Sequence, residues 1–185
     1  MAELMVKATP ANGLAIFLAK ELTPAQLARA LEGLPPGEAR FFTGTLVASE
    51  LVPLAAMNRL TTLAARERME PVKSFARRAG RFVADYGTKT VYKYVFVFMS
   101  PQSVLRAAGA AWGRIVGHGK LTSEFGEKSA RLRLEDFPAD PAGCGRITGF
   151  FEFVGTRSDE GLKVVHSACA AEGAPVCVWD VTWSK

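Results

Sequence analysis

The sequence is poor in the residues that most often carry chemistry. Its 185 residues include three cysteines and two histidines. No glycine-rich phosphate loop and no nucleophile elbow can be read along it, so nucleotide-dependent and serine-hydrolase chemistry have no support. An odd number of cysteines argues against a disulfide framework. The longest apolar runs are far too short to cross a bilayer. Met1-Ala2-Glu3-Leu4 lacks a basic region followed by an apolar core, so no secretory signal is read there and a cytoplasmic protein is expected.

What is present is core-forming. Apolar residues make up 49% of the chain, with twelve phenylalanines and three tryptophans. One domain is expected over residues 1–185, with 1–117 mainly helical and 118–185 holding strands, one helix and a closing hairpin. The net charge of +5 is spread along the chain. Its densest cluster, Lys73, Arg77, Arg78 and Arg81, would cover one broad helical face. That reads as a solvated face rather than a nucleic-acid patch, since no aromatic series is interleaved with it.

Periodicity supplies the elements. Leu14 to Leu22 is apolar at helical spacing. Thr23-Pro24 is a cap with proline at the first helical position, opening a helix to Leu31. Phe41-Phe42 and Leu46 to Leu51 are ambiguous. Pro53 to Arg68 carries Leu54, Met57, Leu60, Leu63 and Ala64 on one stripe. A helix from Pro71 to Tyr86 is expected to end on Gly87 in a left-handed cap. Val91 to Phe98 has strand composition but is read as helix, and Ser100-Pro101 opens a further helix to about Val116. Leu121 to Phe125 and Ala130 to Leu134 read as strands, Arg131 and Arg133 giving one wet face. Cys144 to Val154 reads as helix. The fold class is therefore α+β, with helices packed on an antiparallel sheet.

The three cysteines and one histidine fall in the last quarter. Lys163 to Ala170 and Val176 to Trp183 form a hairpin pattern around Glu172-Gly173. Centring the turn on Gly173 sets Cys169 opposite Cys177, at about the 4.5–5.5 Å Cβ separation of opposed strand residues. Two thiolates so placed can share one zinc ion. Cys144, 25 residues before Cys169, lies on a separate element. His166 is three residues from Cys169, which on a regular strand points it to the other face, so it joins only through a bulge or a strand end. Cys144, His166, Cys169 and Cys177 are the candidate metal ligands. Passive core thiols, or a disulfide formed on oxidation, are the alternatives.

The segment from Trp112 to Trp183 resembles the vinyl-4-reductase domain family. That family shares a broad fold group with the haem nitric-oxide-binding sensors and the small transport-particle subunits. The resemblance rests on Cys144 followed by Thr148-Gly149-Phe150, on Val164-Val165-His166-Ser167-Ala168-Cys169, and on Gly173 and Cys177, with Trp112, Gly117 and Gly119 before them. The whole chain is similar to short paralogues from myxobacteria through Arg78-Ala79-Gly80, Tyr86-Gly87, Ser100-Pro101 and Leu134-Glu135-Asp136-Phe137-Pro138. The resemblance implies a structural zinc on Cys144, Cys169 and Cys177, with His166 where family members have an acidic ligand. It also implies binding of aromatic effectors. Haem is not expected, because His118 sits in a glycine-flanked turn and no tyrosine, serine and arginine motif for the propionates is recognised.

No catalytic constellation is visible. Asp85, Glu135 and Asp136 are isolated acids near element ends and read as caps or surface charges. The expected function is a non-enzymatic sensory or small-molecule-binding module. Phe82, Tyr94, Phe98, Trp112, Phe150 and Phe151 are candidate lining residues for an apolar or aromatic ligand. The alternative is a ligand-free interaction adaptor acting through a protein partner, either a second copy or a different chain, with no nucleic acid or membrane span involved.

Overall fold

The computed structural model describes residues 3–90, 102–103, 105–106, 112–113, 116–156 and 162–184. A short strand, β1 (Met5–Lys7), leads straight into α1 (Ala8–Glu21). The helix α2 (Pro24–Glu32) follows, opened by a complete capping box. Thr23 accepts from the Gln26 amide, and the Gln26 side chain accepts from the Thr23 amide. A single 3₁₀ turn at Ala39–Phe41 precedes β2 (Leu51–Pro53), which pairs antiparallel with β1. Then come α3 (Leu54–Glu67) and α4 (Val72–Thr90).

α4 corrects one expectation. It runs through Gly87, which is a buried helix-interior residue and not a left-handed cap. The last turn holds because the Thr88 hydroxyl donates to the Asp85 carbonyl and Lys89 pairs with the Asp85 carboxylate at 2.5 Å. The Val91–Phe98 segment and the Ser100-Pro101 cap lie outside the described residues. Gln102, Ser103, Leu105, Arg106, Trp112 and Gly113 are helical, as expected of that stretch.

The second half is a four-stranded antiparallel sheet covered by one helix. Its strands are β3 (Lys120–Phe125), β4 (Ser129–Glu135), β5 (Lys163–Ala168) and β6 (Cys177–Thr182), in the order β3-β4-β6-β5. The helix α5 (Pro141–Thr156) comes between β4 and β5 in the chain. Alternation sets the two faces. Ala130, Leu132 and Leu134 point inward with Cys177, Trp179 and Val181, while Arg131 pairs with Asp180 on the outer face at 2.7 Å.

Two apolar cores result. One joins α1, α2, α3 and α4 around Leu14, Leu18, Leu60 and Phe75. The other joins α5 to the sheet around Leu132, Phe151, Trp179 and the three cysteines. They meet where α5 lies on α4, and glycines make that approach possible. A Cβ at Gly80 would stand 2.1 Å from the Arg146 carbonyl oxygen, and one at Gly149 would stand 2.0 Å from that of Arg77. Arg146 crosses the seam. Its guanidinium is buried and donates to the Thr61 hydroxyl at 2.8 Å and to the Asn58 side-chain oxygen. Among the described residues no helix is long and apolar enough to cross a membrane.

A candidate metal centre in the sheet lobe

The turn between β5 and β6 brings the ligand candidates together. Gly173 takes φ +93°, which a side chain would resist. The Cys169 carbonyl accepts from the amides of Glu172 and Ala174, at 2.9 and 3.1 Å, and closes the loop. In the ladder, Ala168 faces Val178, and the same register carried one residue further sets Cys169 against Cys177. Between His166 and Ala168 the register shifts, so that His166 faces Trp179. This irregularity removes the strand-parity objection: His166 and Cys169 come to the inner face of the sheet together. Cys144 arrives from the first turn of α5. That turn is fixed by Asp140, whose carboxylate accepts from the amides of Ala142 and Gly143.

The three sulfurs lie within 4.8 Å of one another, and all three cysteines are buried and free. Cys144 and Cys177 are 3.5 Å apart. That is far longer than a disulfide of about 2.05 Å. It is close to the roughly 3.8 Å edge of a tetrahedron with 2.3 Å metal–sulfur bonds. Hydrogen bonding from Cys144 holds the Cys177 thiol well below its usual range against the opposing effect of burial, helped by the Ala170 amide, which donates to its sulfur at 3.4 Å. The same hydrogen bond to Cys177, followed by burial, pushes Cys144 up.

His166 does not place a nitrogen inside the 4.8 Å set formed by the sulfurs. Its ring lies flat on Trp179, with centroids 4.5 Å apart and planes 9° from parallel. Both ring nitrogens are nevertheless buried without a hydrogen-bond partner. A buried donor–acceptor ring left unpaired is costly and calls for a reason. Around the cluster, Thr148 accepts from the Trp179 indole at 2.8 Å and donates to the Cys144 carbonyl at 2.9 Å, tying α5 to the inner face of the sheet.

The candidate ligand-pocket residues are spread over both cores. Phe82 packs with Phe17 in the helical core, under the Lys20 ammonium. Phe151 is fully buried, edge-on to Phe150 and to Trp179. Trp112 lies edge-on to Phe137, and its indole donates to the His118 carbonyl at 2.7 Å. Tyr94 and Phe98 lie outside the described residues. An open cavity of about 280 Å³ lies elsewhere, lined by Gly33, Arg59, Thr62, Leu63, Arg66 and Asp140. The basic cluster is largely neutralised, since Lys73 pairs with Glu172, Arg77 with Glu152, and Arg78 with Glu21 and Glu70. Arg146 and Lys73 were missed from the sequence as neighbours of the sulfurs. One sits in an apolar helix and the other in the basic run, and neither carries a local signal.

No protein-family model matches the chain, and no curated protein matches it. Solved structures do. An H-NOX protein from S. oneidensis in the Fe(II)NO ligation state superposes with a TM-score of 0.78 at 13% identity, over 97% of this chain and 99% of that one. An H-NOX protein from K. algicida gives 0.76 at 7% identity, over 97% of both chains. An oxygen-binding H-NOX domain related to soluble guanylate cyclases gives 0.69 at 11%, over 96% of this chain and 92% of that one. At these identities the likeness establishes the fold: α+β, helices on an antiparallel sheet, in the haem-nitric-oxide-binding group. It also corrects the exclusion of haem. That exclusion rested on missing short motifs, whereas structures matching along almost the whole chain include iron-ligated and haem-distortion H-NOX proteins. Of this chain's own residues, His118 is exposed in its turn and His166 lies on Trp179, so neither histidine stands as an axial ligand in the described structure.

Proposed function

We propose that the chain is a non-enzymatic sensory or small-molecule-binding module whose sheet lobe is fastened by one metal ion on Cys144, Cys169, Cys177 and His166. The observation that carries this reading is the convergence of three buried sulfurs beside an imidazole with two unpartnered nitrogens. Three thiolates and one imidazole are a donor set that zinc accepts in tetrahedral geometry. Four protein ligands leave no open position, so the ion would be structural. The sensory part rests on the fold shared with the H-NOX proteins, whose structures include Fe(II)NO and Fe(II)CO ligation states and an oxygen complex. A small ligand would enter between the helices and the sheet.

The test is native mass spectrometry with elemental analysis, on protein purified under reducing conditions without chelators. One zinc per chain is expected, lost in Cys169→Ser and Cys177→Ser variants. Removing the ion should lower the melting temperature, because metal binding energy becomes folding energy. Zinc-free protein that neither takes up zinc nor gains thermal stability from it would overturn the metal reading. An absorption spectrum taken with and without added haem, and with NO, tests the ligand side separately.

A further inference from the structure

Lys73 bears on both halves of the proposed centre although it is about a hundred residues away along the chain. Its ammonium donates to Glu172 at 2.8 Å, in the turn that joins Cys169 to Cys177. An electrostatic interaction couples it to Cys169 as well. Its backbone carbonyl lies 2.6 Å from where a Cβ on Gly145 would stand, so the residue after Cys144 is seated directly on it. Resting on the metal reading above, we infer that Lys73 is the outer partner of the centre, offsetting its charge and setting α5 against the ligand turn.

Charge makes the case. Three thiolates and a neutral imidazole around a divalent ion leave one net negative charge in a buried site. An uncompensated buried charge is costly. Among the described residues, Arg146 and Lys73 are cations coupled to the cysteines. Arg146 spends its donors on Asn58, Thr61 and the Met57 carbonyl. Lys73 remains, partly exposed and held beside the ligand turn by Glu172. Outer partners of metal ligands commonly change affinity by about 10- to 100-fold when removed.

The test uses the full chain and Zn²⁺ in competition with a chromophoric chelator. Lys73→Met should weaken Zn²⁺ binding about 10- to 100-fold, and Lys73→Arg should restore it. Glu172→Gln separates charge compensation from an ordinary surface ion pair. It removes the same pair but leaves the ammonium free to face the sulfur, so affinity should hold or rise. In Co²⁺-loaded protein the thiolate charge-transfer bands should move in Lys73→Met and not in Glu172→Gln. Equal losses in Lys73→Met and Glu172→Gln, or an unchanged affinity in Lys73→Met, would overturn the inference while the metal reading stands. Wild-type protein that binds no Zn²⁺ would overturn both.

Discussion

The two cores are built on different terms. The helical core is built mainly from apolar side chains, and its charged periphery is closed by ion pairs such as Arg29–Glu67 and Arg78–Glu21. Its buried polar side chains are accounted for locally: Asn12, for example, donates to the Leu46 carbonyl and accepts from the Leu46 amide. The sheet core holds three thiols and borders an imidazole with unpartnered nitrogens. The helical core takes partners from beyond itself, with Arg146 of α5 reaching Asn58 and Thr61. The sheet core leaves both His166 nitrogens without one, and there the proposed metal would supply it. Functional chemistry is therefore to be sought where burial and unsatisfied polarity coincide, not where charge is densest. The basic run on α4 was the densest charge in the sequence, and it proves largely neutralised.

The seam between the cores is where the comparison can be broken most forcefully. Gly149→Ala places a methyl group 2.0 Å from the Arg77 carbonyl oxygen, which is rigid backbone. Overpacking of this kind should cost about 3 kcal/mol, the upper end of its usual range. Gly44→Ala meets nothing within 4 Å and should stay within about 0.5 kcal/mol of wild type. Urea denaturation of both variants checks this. A cost below about 1 kcal/mol for Gly149→Ala would mean that α4 and α5 slide freely and that the two cores are independent.

Arg146→Met sharpens the same point more gently. It removes the guanidinium that links α5 to α3 and leaves the Asn58 and Thr61 side chains without it. Burial pulls that guanidinium down to about 10, which still leaves it charged at neutral pH. Stranding its buried partners should cost about 1–3 kcal/mol. All three tryptophans, Trp112, Trp179 and Trp183, fall in the second half of the chain, while most helix lies in the first. Tryptophan emission and far-ultraviolet dichroism thus report different lobes. Separation of the two transitions in Arg146→Met would show that this residue couples the lobes, and a coincident shift would assign the coupling to the glycine seam instead.

Sequence reasoning reached the sheet lobe better than the helical one, for reasons visible in particular residues. The closing hairpin announced itself through Glu172-Gly173 and alternating apolar residues, and the opposition of Cys169 to Cys177 followed from counting outward from the turn. Strand β4 was readable because Arg131 and Arg133 alternate with buried leucines. The β1–β2 pair was not legible. Three residues carry no period, and Val6 and Val52 meet only because α1 and α3 bring them together. Gly87 was misread because glycine after a tyrosine looks like a helix stop, whereas the stabilising contacts of that turn come from Asp85, Thr88 and Lys89. The inward turn of His166 depends on a one-residue register shift that alternation alone does not predict. The approach of Cys144 depends on the α4–α5 seam, whose glycines look like breakers when read one at a time.

The smallest effect tests whether a disturbance stays in its own lobe. Thr23 caps α2 with a 3.3 Å acceptor contact to the Gln26 amide, and Gln26 in turn donates to the Glu67 carbonyl at the end of α3 at 2.9 Å. Thr23→Ala should lose about 1 kcal/mol, because caps of this type contribute in that range and this one is long and solvent-exposed. The loss should show in the dichroism transition. Zn²⁺ affinity should be unchanged, since no element that carries Thr23 or Gln26 contributes a ligand. If zinc binding weakened in step with the cap, the helical core would be transmitting its stability to the sulfur cluster through α3 and Arg146. The proposed metal centre would then report on the whole fold instead of fastening one half of it.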